Sequence, residues 1–205
     1  MLIDKKEKIC RKLGQKLLWN ERCMSNKCGL DRRRTRPGMH GYKPRVLSDY
    51  ARKLIEKQKL RFYYLLKEKQ LRNIIEKAKK MKEPLPSAVV KLLESKLDHA
   101  IWQLGFTYSK AHAKQLVSHG HFLVNKKRIK TSFYFLEPGD VIEVREGSKD
   151  IEPIKNLEKI LKIYTPPPWF KLDPHNLKAE FIRYPELEEL NLPFNIQLAL
   201  EFYSK

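Results

Sequence analysis

What this sequence lacks narrows its function before any motif is read. It has no apolar run approaching the roughly 20 residues that a membrane-spanning helix needs. It contains no G-x-x-x-x-G-K-[ST], G-x-G-x-x-G, H-E-x-x-H or G-x-S-x-G, so the common nucleotide-binding, zinc-protease and hydrolase sites are absent. Cysteine is scarce, at 3 in 205 residues, which excludes a disulfide scaffold of the secreted kind. The opening MLIDKKEKICRKLG carries no apolar signal core, so a reducing compartment is expected. Acid is also in short supply: 24 Asp and Glu stand against 43 Lys and Arg.

That imbalance is the strongest feature present. The net charge of +19 and pI near 9.8 call for a polyanionic partner, and nucleic-acid phosphate is the usual one. Hydrophobic residues at 41% and charged residues at 33% allow one or two domains with a modest core. Lysine outnumbers arginine, which points to AT-rich coding in a bacterial or organellar genome.

The stretch from Leu92 to Val144 organises the chain. Leu93, Leu97, Ala100, Ile101 and Leu104 keep a helical stripe, and Gly105 suits the left-handed stop that follows. Ser109 is placed to cap a second helix. On that helix Ala113, Leu116 and Val117 form one face, while Lys110, Lys114 and Ser118 recur on another. Gly120 ends it. Alternation then predicts strands through Phe122 and Val124, through Ile129, Phe133 and Phe135, and through Val141 and Val144. Pro138-Gly139 suits a type II turn. At Asn125-Lys126 the lysine resists left-handed φ, which leaves that turn type open. His119 and His121 invite a metal reading, but no cysteine or carboxylate cluster accompanies them, and histidines on an RNA-facing surface are ordinary.

Around this module the chain divides by composition. Residues 1–46 are basic and bear Cys10, Cys23 and Cys28. Within them Asp31–Arg45 holds six Lys or Arg with scarcely any aliphatic residue, so it cannot bury a core. It reads as an extended arm lying along phosphates, with Arg32, Arg33, Arg34, Arg36, His40, Lys43 and Arg45 as candidate contacts. Residues 47–94 read as a helical domain: one helix starts at Ser48-Asp49, a second runs from Glu68 to Met81, and a third begins at Ser87. Arg52, Lys57, Lys59, Arg61 and Arg72 form its basic flanks. Residues 95–149 are the central module and residues 150–164 a linker helix. Residues 165–205 are expected to pack back on the helical domain through Trp169, Phe170, Leu172, Phe181, Ile182 and Tyr184. The fold class is therefore α+β: a discontinuous helical domain and a small helix-turn-helix-hairpin module, preceded by an extended basic segment.

Lys96-Leu97-Asp98, Gly105-Phe106, Ser109, Ala113–Val117, His119-Gly120-His121 and Val124-Asn125 resemble the RNA-binding motif named after the S-four family of small-subunit ribosomal proteins. Pro37–Gly41, Ser48–Tyr50, Glu56–Lys59 and Glu201–Lys205 resemble the same family in the same order, so the likeness spans nearly the whole chain. It implies a structural constituent of the small subunit that binds 16S-type RNA at a multi-helix junction, nucleates assembly and supports accurate decoding. It also implies a neighbouring protein, S-five, near the C-terminal part, and messenger RNA near Lys43 and Arg45. RNA contacts in the module fall on Lys110, Lys114, Gln115, Ser118, His119, His121, Lys126, Lys127 and Arg128. Some family members carry four cysteines near the N-terminus. On that pattern Cys10, Cys23 and Cys28 match three ligands of a structural zinc and Glu7 takes the place of the first. The remaining thiols either hold zinc with Glu7 or bind nothing.

Other functions fit less well. Enzymes that append this module need a catalytic domain for which the basic helices leave no room. A DNA-binding regulator shares the helix–turn–helix spacing but not the hairpin that follows or the Arg-rich arm. A ribosome-associated stress or assembly factor carries the module without the Pro37–Gly41 and Ser48–Lys59 segments. The expected setting is the ribosome of a bacterial cytoplasm, or alternatively of an organelle.

Overall fold

The computed structural model describes residues 6–17, 23, 27–43, 46–152 and 154–203, with Lys6 and Glu7 described in their backbone alone. Arg45 and the Glu7 side chain thus lie outside the described residues. The chain forms two compact units, residues 1–75 with 191–205, and residues 76–190.

The first unit is helical. It contains α1 (Lys6–Leu13), the single turn α2 (Gly29–Arg32), α3 (Asp49–Tyr63), the start of α4 (Glu68–Lys79) and α9 (Ile196–Glu201). Ser48 caps α3 by accepting a hydrogen bond from the Ala51 amide at 3.3 Å. Asn195 caps α9, its Oδ1 accepting from the Leu198 amide at 3.1 Å, so orphan donors at both helix starts are satisfied. Helix α9 packs along α3, anchored where the Asn195 amide donates to Glu56 Oε2 at 2.7 Å. Tyr63 and Phe194 meet edge-on at 5.6 Å, and the Tyr203 hydroxyl donates to Glu68 Oε1 at 2.6 Å. Cys10, Leu13 and Leu17 form a small buried group with Ile9, Leu30, Ile55 and Phe62 packed against it.

The second unit holds the larger core. Its helices are α5 (Leu85–Glu94), α6 (Leu97–Gln103), α7 (Lys110–His119) and α8 (Leu157–Leu161). Its strands are β1 (Phe122–Val124), β2 (Lys127–Arg128), β3 (Val141–Val144), β4 (Phe170–Asp173) and β5 (Lys178–Phe181). They form one antiparallel sheet in the order β2-β1-β3-β5-β4. The register sets Phe122 opposite Val144, Ile142 opposite Ala179, and Phe170 opposite Phe181. Period-two alternation then sends Phe122, Val124, Ile142 and Val144 to the buried face. There Phe106 meets Phe122 edge-on at 5.5 Å. Full burial of each such side chain contributes about 1.5–3 kcal/mol.

Several expectations from the sequence are corrected. Trp169, Phe170 and Phe181, expected on the helical domain, are built into the core of the second unit, with Leu172 and Tyr184 packed against it; Ile182 remains about half exposed. The cause is backbone pairing, because β5 extends the module's own sheet through β3. Helix α5 also belongs to this unit. It starts at Leu85 with Pro84 before it and Pro86 in its first turn, positions where a missing amide costs nothing. The helical stripe from Leu93 to Leu104 is interrupted at Ser95-Lys96. There the Leu97 amide donates to the Tyr134 carbonyl at 2.9 Å, and the Leu136 amide to the Ser95 carbonyl at 2.8 Å. Between Arg128 and Val141 the expected strand through Ile129, Phe133 and Phe135 is reduced to a single bridge between Phe135 and Lys96. The linker helix shortens to Leu157–Leu161.

The hairpin turn is resolved as well. Asn125 and Lys126 both take positive φ, +49° and +64°, the pairing a type I′ turn requires. Lysine tolerates it because its neighbour is locked: Asn125 Nδ2 donates to Asp140 Oδ1 at 2.7 Å, and Asn125 Oδ1 accepts from the Val141 amide at 3.0 Å.

The sheet predicts which fragments fold. A fragment of residues 76–190 should unfold cooperatively on heating, whereas residues 95–149 alone should not, because they lack β4 and β5. Circular dichroism melts check this, and a cooperative transition in the short fragment would refute it.

Candidate nucleic-acid interface

The candidate contacts in the first unit sort into an outward and an inward group. Arg32, Arg33, Arg34, His40 and Lys43 are exposed. The arm that carries them is not extended, contrary to expectation. It folds into turns closed by the Gly41 amide on the Gly38 carbonyl and the Lys43 amide on the His40 carbonyl. Arg36 Nη2 donates to the Lys43 carbonyl at 2.8 Å, and Arg11 Nε donates to the Thr35 carbonyl at 3.1 Å. Backbone carbonyls thus take up the donors of Arg11 and Arg36, leaving the Arg32–Arg34 run to face outward. Gly41 is required here, since a Cβ would collide with the Arg36 carbonyl oxygen.

On α3 the helical period turns some cations inward. Lys57 is 6% exposed; its Nζ pairs with Glu68 Oε1 at 2.7 Å and sits 4.5 Å from the Phe202 ring centroid. It therefore belongs to the packing, not to an outward face. Lys59 pairs with Glu56 at 2.7 Å, while Arg61 lies over the Phe62 ring at 4.2 Å and 3.6 Å from Glu68. Arg52 and Arg72 face solvent.

The second unit contains the more compact patch. Ser109 caps α7 as expected, accepting from the His112 amide at 3.2 Å, and Gly120 ends it at φ +72°. Gln115, Ser118, His119, Lys126, Lys127 and Arg128 are exposed, and Lys114 and His121 are half-buried. The Ser118 hydroxyl donates to the Lys114 carbonyl at 2.8 Å. The His119 and His121 rings stack at 5.9 Å, and His121 Nδ1 lies 3.0 Å from Ser148 Oγ. Burial, and then the charges of His119, Arg145 and Arg128, hold the His121 imidazole below its ordinary pKa. Arg145 was not singled out in the sequence. It enters because β1 pairs with β3, so that its amide donates to the His121 carbonyl at 2.9 Å. Only strand register would have revealed it.

Lys110 departs from the expected face. It is 3% exposed, with Nζ 4.2 Å from the Trp102 ring centroid. Burial drives its pKa well below the ordinary lysine value, opposed by the charge of Glu94. Around it Lys96 pairs with Asp98 at 3.0 Å and His99 Nε2 lies 3.3 Å from Glu94 Oε2, all four groups nearly fully buried. Gln103 Nε2 donates to the same Glu94 oxygen at 2.6 Å. Desolvating isolated charges costs several kcal/mol each, and mutual pairing offsets that cost. Helix α7 thus presents one lysine, Lys110, to the interior and the next turn to the surface.

The cysteines also converge. Cys10, Cys23 and Cys28 are all buried and unoxidised. The Cys10 thiol is held far above its usual pKa, first by a hydrogen bond with Cys23, then by burial. Among the described residues no group of three His, Cys, Asp or Glu is arranged to hold a metal ion. Among them, too, no helix is long and apolar enough to cross a membrane.

The two lysines of α7 should respond differently to truncation. Lys114→Ala is expected to leave stability within about 0.5 kcal/mol. Lys110→Ala is expected to lower it by about 1–3 kcal/mol, through the loss of its buried stem and ring contact. Chemical denaturation of the two variants measures this; equal effects would contradict the placement of Lys110.

Comparison with known proteins agrees with this architecture. Residues 1–94 match the model of the ribosomal protein S4/S9 N-terminal domain, and residues 95–142 match that of the S4 domain. The chain is 46% identical over 200 residues to the small ribosomal subunit protein uS4 of Thermus thermophilus, covering 97% of this chain and 96% of that protein. It is 44% identical to the corresponding protein of Thermosipho melanesiensis and 41% identical to that of Kosmotoga olearia, at the same coverage. On identity of this level along almost its full length, the chain belongs to the uS4 family of small ribosomal subunit proteins.

Proposed function

We propose that this chain is a structural, non-enzymatic, RNA-binding constituent of the small ribosomal subunit. Its partners are ribosomal RNA and other proteins of that subunit. The observation that carries the reading is the basic patch formed by the end of α7 and the β1–β2 tip, where Gln115, Ser118, His119, Lys126 and Lys127 face outward. Such a surface neutralises phosphates and fits RNA by shape, as protein recognition of folded RNA commonly does. In its finer form the reading has the chain bind 16S-type RNA directly at a multi-helix junction, nucleate assembly and support accurate decoding. It places S-five beside the C-terminal part and messenger RNA near Lys43 and Arg45. The host is a bacterium or, alternatively, an organelle.

The test measures affinity for small-subunit RNA, transfer RNA and duplex DNA across a salt series. Small-subunit RNA should bind tightest. Lys126→Ala/Lys127→Ala should flatten the slope of log K against log salt by roughly one unit per lost phosphate contact. Equal affinity for all three nucleic acids, or an unchanged slope, would defeat the assignment.

A structural zinc belongs to the same reading. Cys10, Cys23 and Cys28 would supply three thiolates, and Glu7 the fourth ligand; zinc accepts such a mixed set. Its support is the burial of three free thiols in one short segment, with Cys10 hydrogen-bonded to Cys23. Elemental analysis of protein purified without chelator should find about one zinc per chain, lost in Cys23→Ser/Cys28→Ser. Metal-free wild-type protein that folds normally would remove zinc from the reading.

A further inference from the structure

Arg128 lies at the basic tip, and sequence pattern counts it among the phosphate contacts. Its side chain does something else in the folded protein. Nη2 donates to the His119 carbonyl at 2.8 Å and Nε donates to the Gly120 carbonyl at 3.1 Å. These carbonyls belong to the C-terminal end of α7, where the last turn leaves acceptors unmatched and the helix dipole favours a cation. The amides nearby are already used: Gly120 donates to Val117 at 2.8 Å and His121 to Leu116 at 3.2 Å. The guanidinium thus completes the helix end from across the hairpin.

The space at this junction is made for it. Any Cβ at position 120 would collide with Arg128 Nε, and would lie 3.0 Å from Nη2. Gly120 therefore serves twice, once for its φ of +72° and once for the close approach of the arginine. On the opposite side of the tip, Asn125 is tied to Asp140 and Val141. The Lys126-Lys127 pair sits between these two ties: Lys126 is the second residue of the two-residue turn, and Lys127 opens β2 opposite Val124, with Arg128 opposite Leu123.

We infer that Arg128 is a positioning residue: it clamps the β1–β2 tip to the end of α7 and so sets the spacing between Lys126-Lys127 and the His119 side of the patch. A rigid phosphate-binding constellation loses less freedom on binding than a mobile one. Arg128 therefore contributes to RNA affinity mainly by ordering other cations. Lysine is no substitute, since a single ammonium cannot reproduce a planar fork spanning two carbonyls.

The inference rests on the RNA-binding reading, and two measurements keep the two separable. In free protein, amide hydrogen exchange at residues 126–128 should quicken in both Arg128→Lys and Arg128→Ala; unchanged exchange in Arg128→Lys overturns the clamp whatever the protein binds. In complex with small-subunit RNA, both variants should lose about tenfold in affinity while keeping the wild-type salt slope, because no phosphate contact is removed. If Arg128→Lys binds like wild type and Arg128→Ala flattens the slope by about one unit, Arg128 is itself a phosphate ligand and the inference fails. Absence of RNA binding by wild-type protein would instead defeat the underlying reading, with the exchange result still standing on its own.

Discussion

The antiparallel pairing of β3 with β5 is the interaction on which the second unit depends. Strands β1, β2 and β3 alone would leave one edge of backbone donors and acceptors bare and too little apolar surface covered. Joining β5 and β4 to that edge brings Phe170, Ala179 and Phe181 into the same core as Phe106, Phe122 and Ile142. The 3.0 Å contact between Lys178 Nζ and Glu143 Oε2 links the two neighbouring strands on the outer side. With the sheet completed, α6 and α7 have a surface to pack on, and the end of α7 is held where the hairpin tip can meet it.

A second constraint is charge. A chain with net charge +19 repels itself as it compacts, and part of its limited supply of acid is placed where cations turn inward. Glu68 serves Lys57 and Arg61, Glu56 serves Lys59, and Asp98 serves Lys96. Exposed basic residues collect instead on the arm, on α4 and at the hairpin tip. Aromatic rings take part in the same sorting, with Trp102, Phe62 and Phe202 lying under Lys110, Arg61 and Lys57. Whether a basic residue in this protein faces outward is therefore set by its position, not by its type.

Much of this was legible in the residues themselves. Ser48 and Ser109 act as caps because a short side-chain oxygen reaches the orphan amides of the next turn, a purely local geometry. Gly105, Gly120 and Gly139 take positive φ for an equally local reason. The stripe of Ala113, Leu116 and Val117 predicts its own burial, and the basic excess and S-four resemblance lead to the family that the comparisons identify. What tertiary structure alone decided is which distant segments meet. The return of residues 169–184 to the module required a strand pairing across dozens of residues, which alternation cannot specify. The break at Ser95-Lys96 needed the backbone of Tyr134 and Leu136. Lys110 and Lys114 occupy the same helical stripe in sequence, yet only Trp102 and the acids around it make the first an interior residue. Arg128 reads as one more surface cation until the α7 carbonyls and the bare Gly120 are seen beside it. Caps, turns and amphipathic faces follow from interactions within a few residues; the fate of a long charged side chain is set by whatever the fold brings within its reach.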